Sequence, residues 1–397
     1  MRLRPVLLAT ALACATLPAR AELPASIKIG VLNDQSGPFA DQSGKGSVVA
    51  ANLAVEDFAE EAPSQKVEIV YGDHQNKPDI GSQIVREWVD RDGVVAVADA
   101  VNSAVGLAVN TVLRERHRTF IASNVGTSDL TGKFCSPTTF QWTFDTWAFG
   151  NSAARALKDK GPFYFVGFDY ALGQALERDT TEVLKSIGGT VAGSVKHPLG
   201  TSDFSSYLLQ AQSSGAKVIA FASTGPDLTN AIKQSAEFGV TKTAILTGLF
   251  TQLQDIAAVG AQTAQGLLLT EAFYWDLNDA TRAWSKRFEA RMGRPPSENQ
   301  AGVYSSILAY LRAAKAANSI VGEDIVAQLK KAPVQDALFG PVTIRADGRA
   351  LHPMYVFRVK TPAEVKGKWD LYDLVQTIPA DQAFRPLAEG GCPMVKG

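Results

Sequence analysis

Ile27-Lys28-Ile29-Gly30-Val31-Leu32-Asn33-Asp34-Gln35-Ser36-Gly37-Pro38 decides how this chain is read. Residues 27–32 form a short apolar run suited to a buried strand, and residues 33–38 are a polar loop. Val48, Ala51, Val55 and Phe58 then recur at helical spacing, ending in Glu60-Glu61 before Pro63. A strand leading through a loop into a helix is the first half of a βαβ unit.

Upstream, residues 1–21 hold Arg2 and Arg4, an apolar run over 6–13, and Ala19-Arg20-Ala21. This is the order of a secretory signal peptide: basic start, short apolar stretch, small residues at the cleavage point. Ala11 stands where a lipid-attachment site at Cys14 usually has Leu, so a cleaved, unanchored chain beginning at Glu22, outside the cytoplasm, is expected. No later apolar stretch approaches the roughly 20 residues that a spanning helix needs.

Downstream, β-rich runs at 67–71, 94–98 and 119–122 alternate with helical patterns at 80–89 and 104–116. The alternation pauses over 130–149, a stretch with Cys135, Pro137, Phe140, Trp142, Phe144, Trp147 and Phe149. It resumes with strands at 163–168, 190–195, 217–222, 243–246 and 267–269 and helices at 173–186, 204–212 and 228–238. Two α/β lobes with mostly parallel sheets follow from this order. The last quarter reads as helices at 280–291, 299–317 and 325–331, then a hairpin of 342–345 with 354–359 around Ala346-Asp347-Gly348. It is best taken as material completing both lobes.

Composition bounds the function. With 46% hydrophobic and 20% charged residues the chain is ordinary globular protein. Losing the three arginines of the leader moves the net charge only from −1 to −4, which gives no reason to expect nucleic acid or anionic membrane. Cys135 and Cys392 are the only cysteines outside the leader; an oxidising compartment favours one disulfide over two buried thiols. Gly44-Lys45-Gly46-Ser47 resembles a phosphate loop but has the wrong spacing from Gly37, and Gly46 occupies the hydroxyl position. His74, His117, His197 and His352 never stand at metal-ligand spacing, and no GxSxG or HExxH pattern occurs. No enzyme, cofactor or metal is expected.

Two segments point to a ligand. Asn102-Ser103 and residues 124–127 each follow a predicted parallel strand, where ligands of open α/β sheets bind. Helix capping is the plainer role for the same residues, and the two are compatible.

At these residues the chain resembles the leucine/isoleucine/valine-binding protein family. The signs are residues 27–32 with Ser36-Gly37-Pro38, Ser103 after the third strand, Thr127-Ser128-Asp129-Leu130-Thr131, Asp169-Tyr170 with Gly173, Thr201-Ser202-Asp203-Phe204, and Ala264-Gln265-Gly266. The resemblance implies a type I periplasmic binding protein: two doubly wound parallel-sheet lobes joined by a three-segment hinge, closing on a small solute. It implies 22–143 plus 274–341 for lobe 1, 144–273 plus 342–380 for lobe 2, and 381–397 as a tail. The implied role is a monomeric receptor that passes a carboxylate-bearing solute to an inner-membrane ABC permease and its ATPase subunits. A ligand sensor acting through a membrane partner, or an extracytoplasmic α/β enzyme, are the alternatives.

Carried over by position, Ser103 and Thr127 would hold the ligand carboxylate, with Gln42 and Thr224 as wall residues and Leu172 where some members have Tyr. Asn102, Asn124, Val125, Asp145, Trp147, Tyr170 and Phe250 complete the candidate set. One departure matters: residues 246–251 read Leu-Thr-Gly-Leu-Phe-Thr, without the Glu that pairs an amino acid's ammonium. Either Asp145, Asp169 or Asp227 replaces it, or the ligand has no ammonium. With the aromatic stretch 142–147 read either as hinge and core packing or as a flat wall, an aromatic or other organic acid is expected, with a branched-chain amino acid-like solute as the alternative.

Overall fold

Unbroken aliphatic runs become central strands covered on both faces. In the computed structural model, which describes residues 23–395, Ser26–Asn33 lies parallel between Lys66–Asp73 and Ala96–Asp99. Thr119–Ala122 and Thr139–Gln141 extend this first sheet. Side chains alternate along Ser26–Asn33. Ile27, Ile29 and Val31 meet Ala50, Leu53, Ala54 and Phe58 of helix Gly44–Glu61. Leu32 joins Trp88 and Val105 from helices Pro78–Asp90 and Ser103–Glu115 on the other face. Gly30 belongs to that second face, where a Cβ would stand 2.4 Å from the Trp88 ring. Its bare Cα is what lets the indole lie against the strand.

The second sheet places five parallel strands in the order Leu268–Glu271, Ile245–Gly248, Val218–Ala222, Phe163–Phe168, Val191–His197. Met354–Val359 and then Tyr372–Ile378 add to its other side antiparallel. Between Glu271 and Met354 the chain returns to the first lobe. There helix Glu298–Ala317, started by a Ser297/Gln300 capping box, is buried along almost its whole length. Arg287 and Tyr304 both reach Asp57 of helix Gly44–Glu61, at 2.5 and 2.6 Å, and Arg291 pairs with Glu56 at 2.8 Å.

The chain thus passes between the sheets after Gln141, after Glu271 and after Leu351. Arg349 ties the first passage to the third. Fully buried, it donates to the carbonyls of Phe144 (2.7 Å), Trp142 and Ala350 (2.9 Å), lies 4.3 Å over the Phe384 ring, and stands 3.7 Å from Asp145. A buried cation is tolerated only with such saturation. The Cys135–Cys392 disulfide is present and closes a separation of 257 residues, binding the tail to the first lobe.

The structure corrects the hairpin. Gly340–Ile344 pairs with Val334–Asp336 and with Ala350–Leu351, and Gln141 bridges to Arg349 at the edge of the first sheet. Met354–Val359 instead joins the second sheet. A sequence boundary at 341/342 falls inside strand Gly340–Ile344, whose Thr343 and Ile344 pair with Leu351 and Ala350 just downstream. The stretch 130–149 holds a strand, Thr139–Gln141, and Tyr372–Ile378 is a strand the pattern did not announce. The expected signal peptide and Cys14 lie outside the described residues.

Candidate functional site

The carboxyl ends of both sets of parallel strands face one another across a cleft bridged by Gln42 and Thr224. Asp99 organises the first-lobe side. Its carboxylate, 0% exposed, accepts from Asn33 Nδ2 at 3.0 Å and Asn124 Nδ2 at 2.7 Å, and burial raises its pKa to about 6. Asp99 and Ala100 have φ of +81° and +60°, a left-handed pair that costs of order 1–3 kcal/mol per residue. That bend turns Asn102 and Ser103 toward the cleft. Asp99 was absent from the sequence candidates; an acid ending a wholly apolar strand was its only signal.

Asn102 caps helix Ser103–Glu115, accepting from Ala104 N–H (2.9 Å) and Val105 N–H (3.2 Å). Ser103 Oγ accepts the Thr127 N–H at 3.2 Å, which brings the two expected carboxylate ligands together and leaves the Ser103 hydrogen to donate. The Thr127 amide is therefore already engaged, and its Oγ1 accepts from Asp129 N–H at 3.3 Å. Asn124 keeps a buried Oδ1 without a partner. Val125 packs under the cleft against Gly106, where a Cβ would meet it at 2.5 Å.

The aromatic stretch packs into the core. Trp142 and Phe144 are 0% exposed, Trp142 Nε1 donates to Ser305 Oγ at 2.9 Å, and Phe250 stacks on Phe149 at 4.9 Å. Asp145 caps helix Thr146–Leu157 through Ala148 N–H at 2.8 Å. Trp147, also buried, belongs to the same core.

On the second lobe, Tyr170 follows strand Phe163–Phe168, its ring 5.0 Å from Phe168 and its buried hydroxyl without a partner. Thr224 precedes helix Gly225–Glu237. Its Oγ1 accepts from Gln42 Nε2 at 3.0 Å, a direct bond between lobes, and donates to Asp255 at 3.4 Å. A Cβ on Gly225 (φ +66°) would stand 3.2 Å from the Pro38 carbonyl and 3.4 Å from Gln42, so a side chain would hold the lobes apart. Gln252 makes a second tie, donating to Glu298 at 2.6 Å. Glu298 also accepts from Ala272 N–H at 2.7 Å, and Glu271 accepts from Tyr372 Oη at 3.1 Å. Burial pushes the carboxyls of Asp255, Glu271 and Glu298 up, Asp255 to about 7.

At the mouth, a cavity of about 390 Å³ lies between Asn76, Asn102 and Ala104 on one lobe and Asp169, Tyr170 and residues 196–199 on the other. Among the described residues no group of His, Cys, Asp and Glu is arranged to hold a metal ion, and no helix is long and apolar enough to cross a membrane.

A model of the family described as "Periplasmic binding protein" matches residues 26–367. Leu/Ile/Val-binding protein homolog 6 of Brucella melitensis is 30% identical over 268 residues, 66% of this chain and 68% of that one. A periplasmic binding protein of Burkholderia mallei shares the fold with a TM-score of 0.90 at 43% identity, over 94% of this chain and 100% of that one. A branched chain amino acid ABC transporter periplasmic ligand-binding protein of Burkholderia xenovorans gives 0.83 at 39%, over 93% and 99%. The chain belongs to the type I periplasmic binding proteins of the leucine/isoleucine/valine-binding family, the ligand-binding proteins of ABC transporters.

Proposed function

We propose that the chain is a non-catalytic receptor that closes its lobes on a small carboxylate-bearing solute and delivers it to an ABC permease and its ATPase subunits. The observation that carries this is the Ser103 hydroxyl. It is buried at a helix start, fixed by the Thr127 N–H, and has its own hydrogen left to donate. Hydroxyls beside a helix N-terminus suit an anion, because the helix dipole and the O–H both favour negative charge. Closure on a ligand requires differential affinity for the closed state, which contacts from both lobes, Ser103 on one and Tyr170 on the other, would supply; the Gln42–Thr224 bond lowers the closed state itself. Native mass spectrometry of freshly purified protein tests the reading. A retained solute should carry a carboxylate and leave unchanged; a solute without an acid group, or conversion of it on incubation, would contradict the proposal.

A further inference from the structure

The donors for a carboxylate stand on the first lobe, whereas the second lobe presents acceptors that nothing in the chain satisfies. Asp227 is the third residue of helix Gly225–Glu237 and is 1% exposed. Its Oδ2 accepts the Gly200 N–H at 3.2 Å, while Oδ1 has no hydrogen bond. Holding the loop after strand Val191–His197, with the Thr201 N–H and its own N–H also near the carboxylate, explains one oxygen and leaves Oδ1 without a bond in good geometry. The nearest basic atom is His197 Nδ1 at 3.9 Å. That nitrogen is 3.0 Å from the Pro198 carbonyl, to which its N–H donates, and burial lowers the pKa of the ring. A neutral imidazole whose one proton is engaged gives Asp227 no counter-charge.

Asp227 thus contacts both ends of segment 197–200, whose residues His197, Pro198 and Leu199 line one side of the mouth cavity. Tyr170 lines the same cavity, its hydroxyl also buried and unpaired. The nearby Asp227 charge adds to burial in holding that phenol protonated. A buried carboxylate oxygen without a partner costs more than an ordinary unmade hydrogen bond, so the site is built for a group that donates to it. The other acids are spent: Asp145 caps a helix beside Arg349, and Asp169 is exposed.

We propose that Asp227, with Tyr170 beside it, is the specificity-determining acceptor of the cleft, and that the ligand carries a hydrogen-bond donor, ammonium or hydroxyl, besides its carboxylate. This rests on the receptor reading above. It also removes the premise for an ammonium-free acid, since the acid absent from residues 246–251 is supplied from another strand end.

Calorimetric titration with two matched series tests it: leucine, 2-hydroxy-4-methylpentanoate and 4-methylpentanoate; then 4-aminobenzoate, 4-hydroxybenzoate and benzoate. In at least one series a donor-bearing member should bind tenfold or more tighter than its donor-free match. Asp227→Asn should cut that ratio below threefold, and Ser103→Ala should weaken every member alike. The ammonium, amine and hydroxyl arms identify which donor is read. A donor-free acid bound as tightly, or a ratio that survives Asp227→Asn, would overturn the role of Asp227 while leaving the receptor reading intact. Failure of every member to bind the wild type would overturn both. Melting curves establish that the variant is folded. Should Asp227→Asn not fold, the wild-type ratios together with Asp227→Ser decide in the same way.

Discussion

The two walls of the cleft differ in how completely they are bonded. Around Ser103 the first lobe is tied to itself through Asp99, Asn124, Asn102 and Thr127, although the Asn124 Oδ1 is left over. Around Tyr170 the second lobe leaves a phenol and a carboxylate oxygen unpaired. A bonded wall is preorganised and offers its anion-binding group in the open form. An unbonded wall gains most when a ligand and the opposite lobe arrive together. The difference predicts that solute docks on the first lobe and that the second lobe sets selectivity and closure.

The largest expected effect concerns the firmness of the first lobe. Constraining a loop of 257 residues is worth on the order of 5 kcal/mol in the chain-entropy account. Reduction, or Cys135→Ala with Cys392→Ala, should lower the melting temperature substantially, while the denatured, unreduced protein should titrate with no free thiol. Two titratable thiols would show the first lobe to be held without this bond.

Next comes the acidic cluster where the lobes are tied. Asp255 faces Gln252, Thr224 and the Gly225 amide; Glu298 faces Gln252, Ala272 and Glu271; Glu271 faces Tyr372 and Glu298. Among the described residues none of the three forms an ion pair with a base. Their folded pKa values are raised, so the stability they contribute is fully present below the unfolded values near 4. It is lost as pH rises through about 7 for Asp255 and on through the still-raised values of the glutamates. Melting temperature should therefore fall across that window, and Glu298→Gln, whose amide oxygen still accepts the Ala272 N–H while its NH2 reaches Gln252 Oε1 once that side chain turns over, should flatten the fall. A flat wild-type profile would mean that these carboxyls stay ionised.

How much of this was legible is clear from particular elements. Residues 27–32, 119–122 and 163–168 were readable because local apolar runs determine them. Thr139–Gln141 was hidden by its aromatics, and the pairing of Met354–Val359 depends on residues some 85 positions earlier. Ser103 and Thr127 could be found because strand ends are where ligands sit. Asp99 could not, since it is defined by Asn33, a neighbour distant in sequence, and Asp227 could be named only as one of three acids, because its contact with Gly200 singles it out.

Smaller effects separate the walls. Ser103→Ala should weaken a carboxylate ligand by about 1–3 kcal/mol, the range for a charged hydrogen bond, with a modest fall in melting temperature because the buried Thr127 N–H loses its acceptor. Loss of binding by less than threefold would move the anion site elsewhere. Thr224→Val removes the Gln42 bond across the cleft and should cost about 0.5–1.5 kcal/mol of closure, seen as a more extended unliganded form. An unchanged form would assign closure to the Gln252–Glu298 tie.

Small-angle X-ray scattering of the protein with and without the tightest-binding member of the two acid series tests the central claim most directly. Contraction at saturation, reached only at higher concentration in Ser103→Ala, is the predicted result. An unchanged profile with the site saturated would contradict capture by lobe closure.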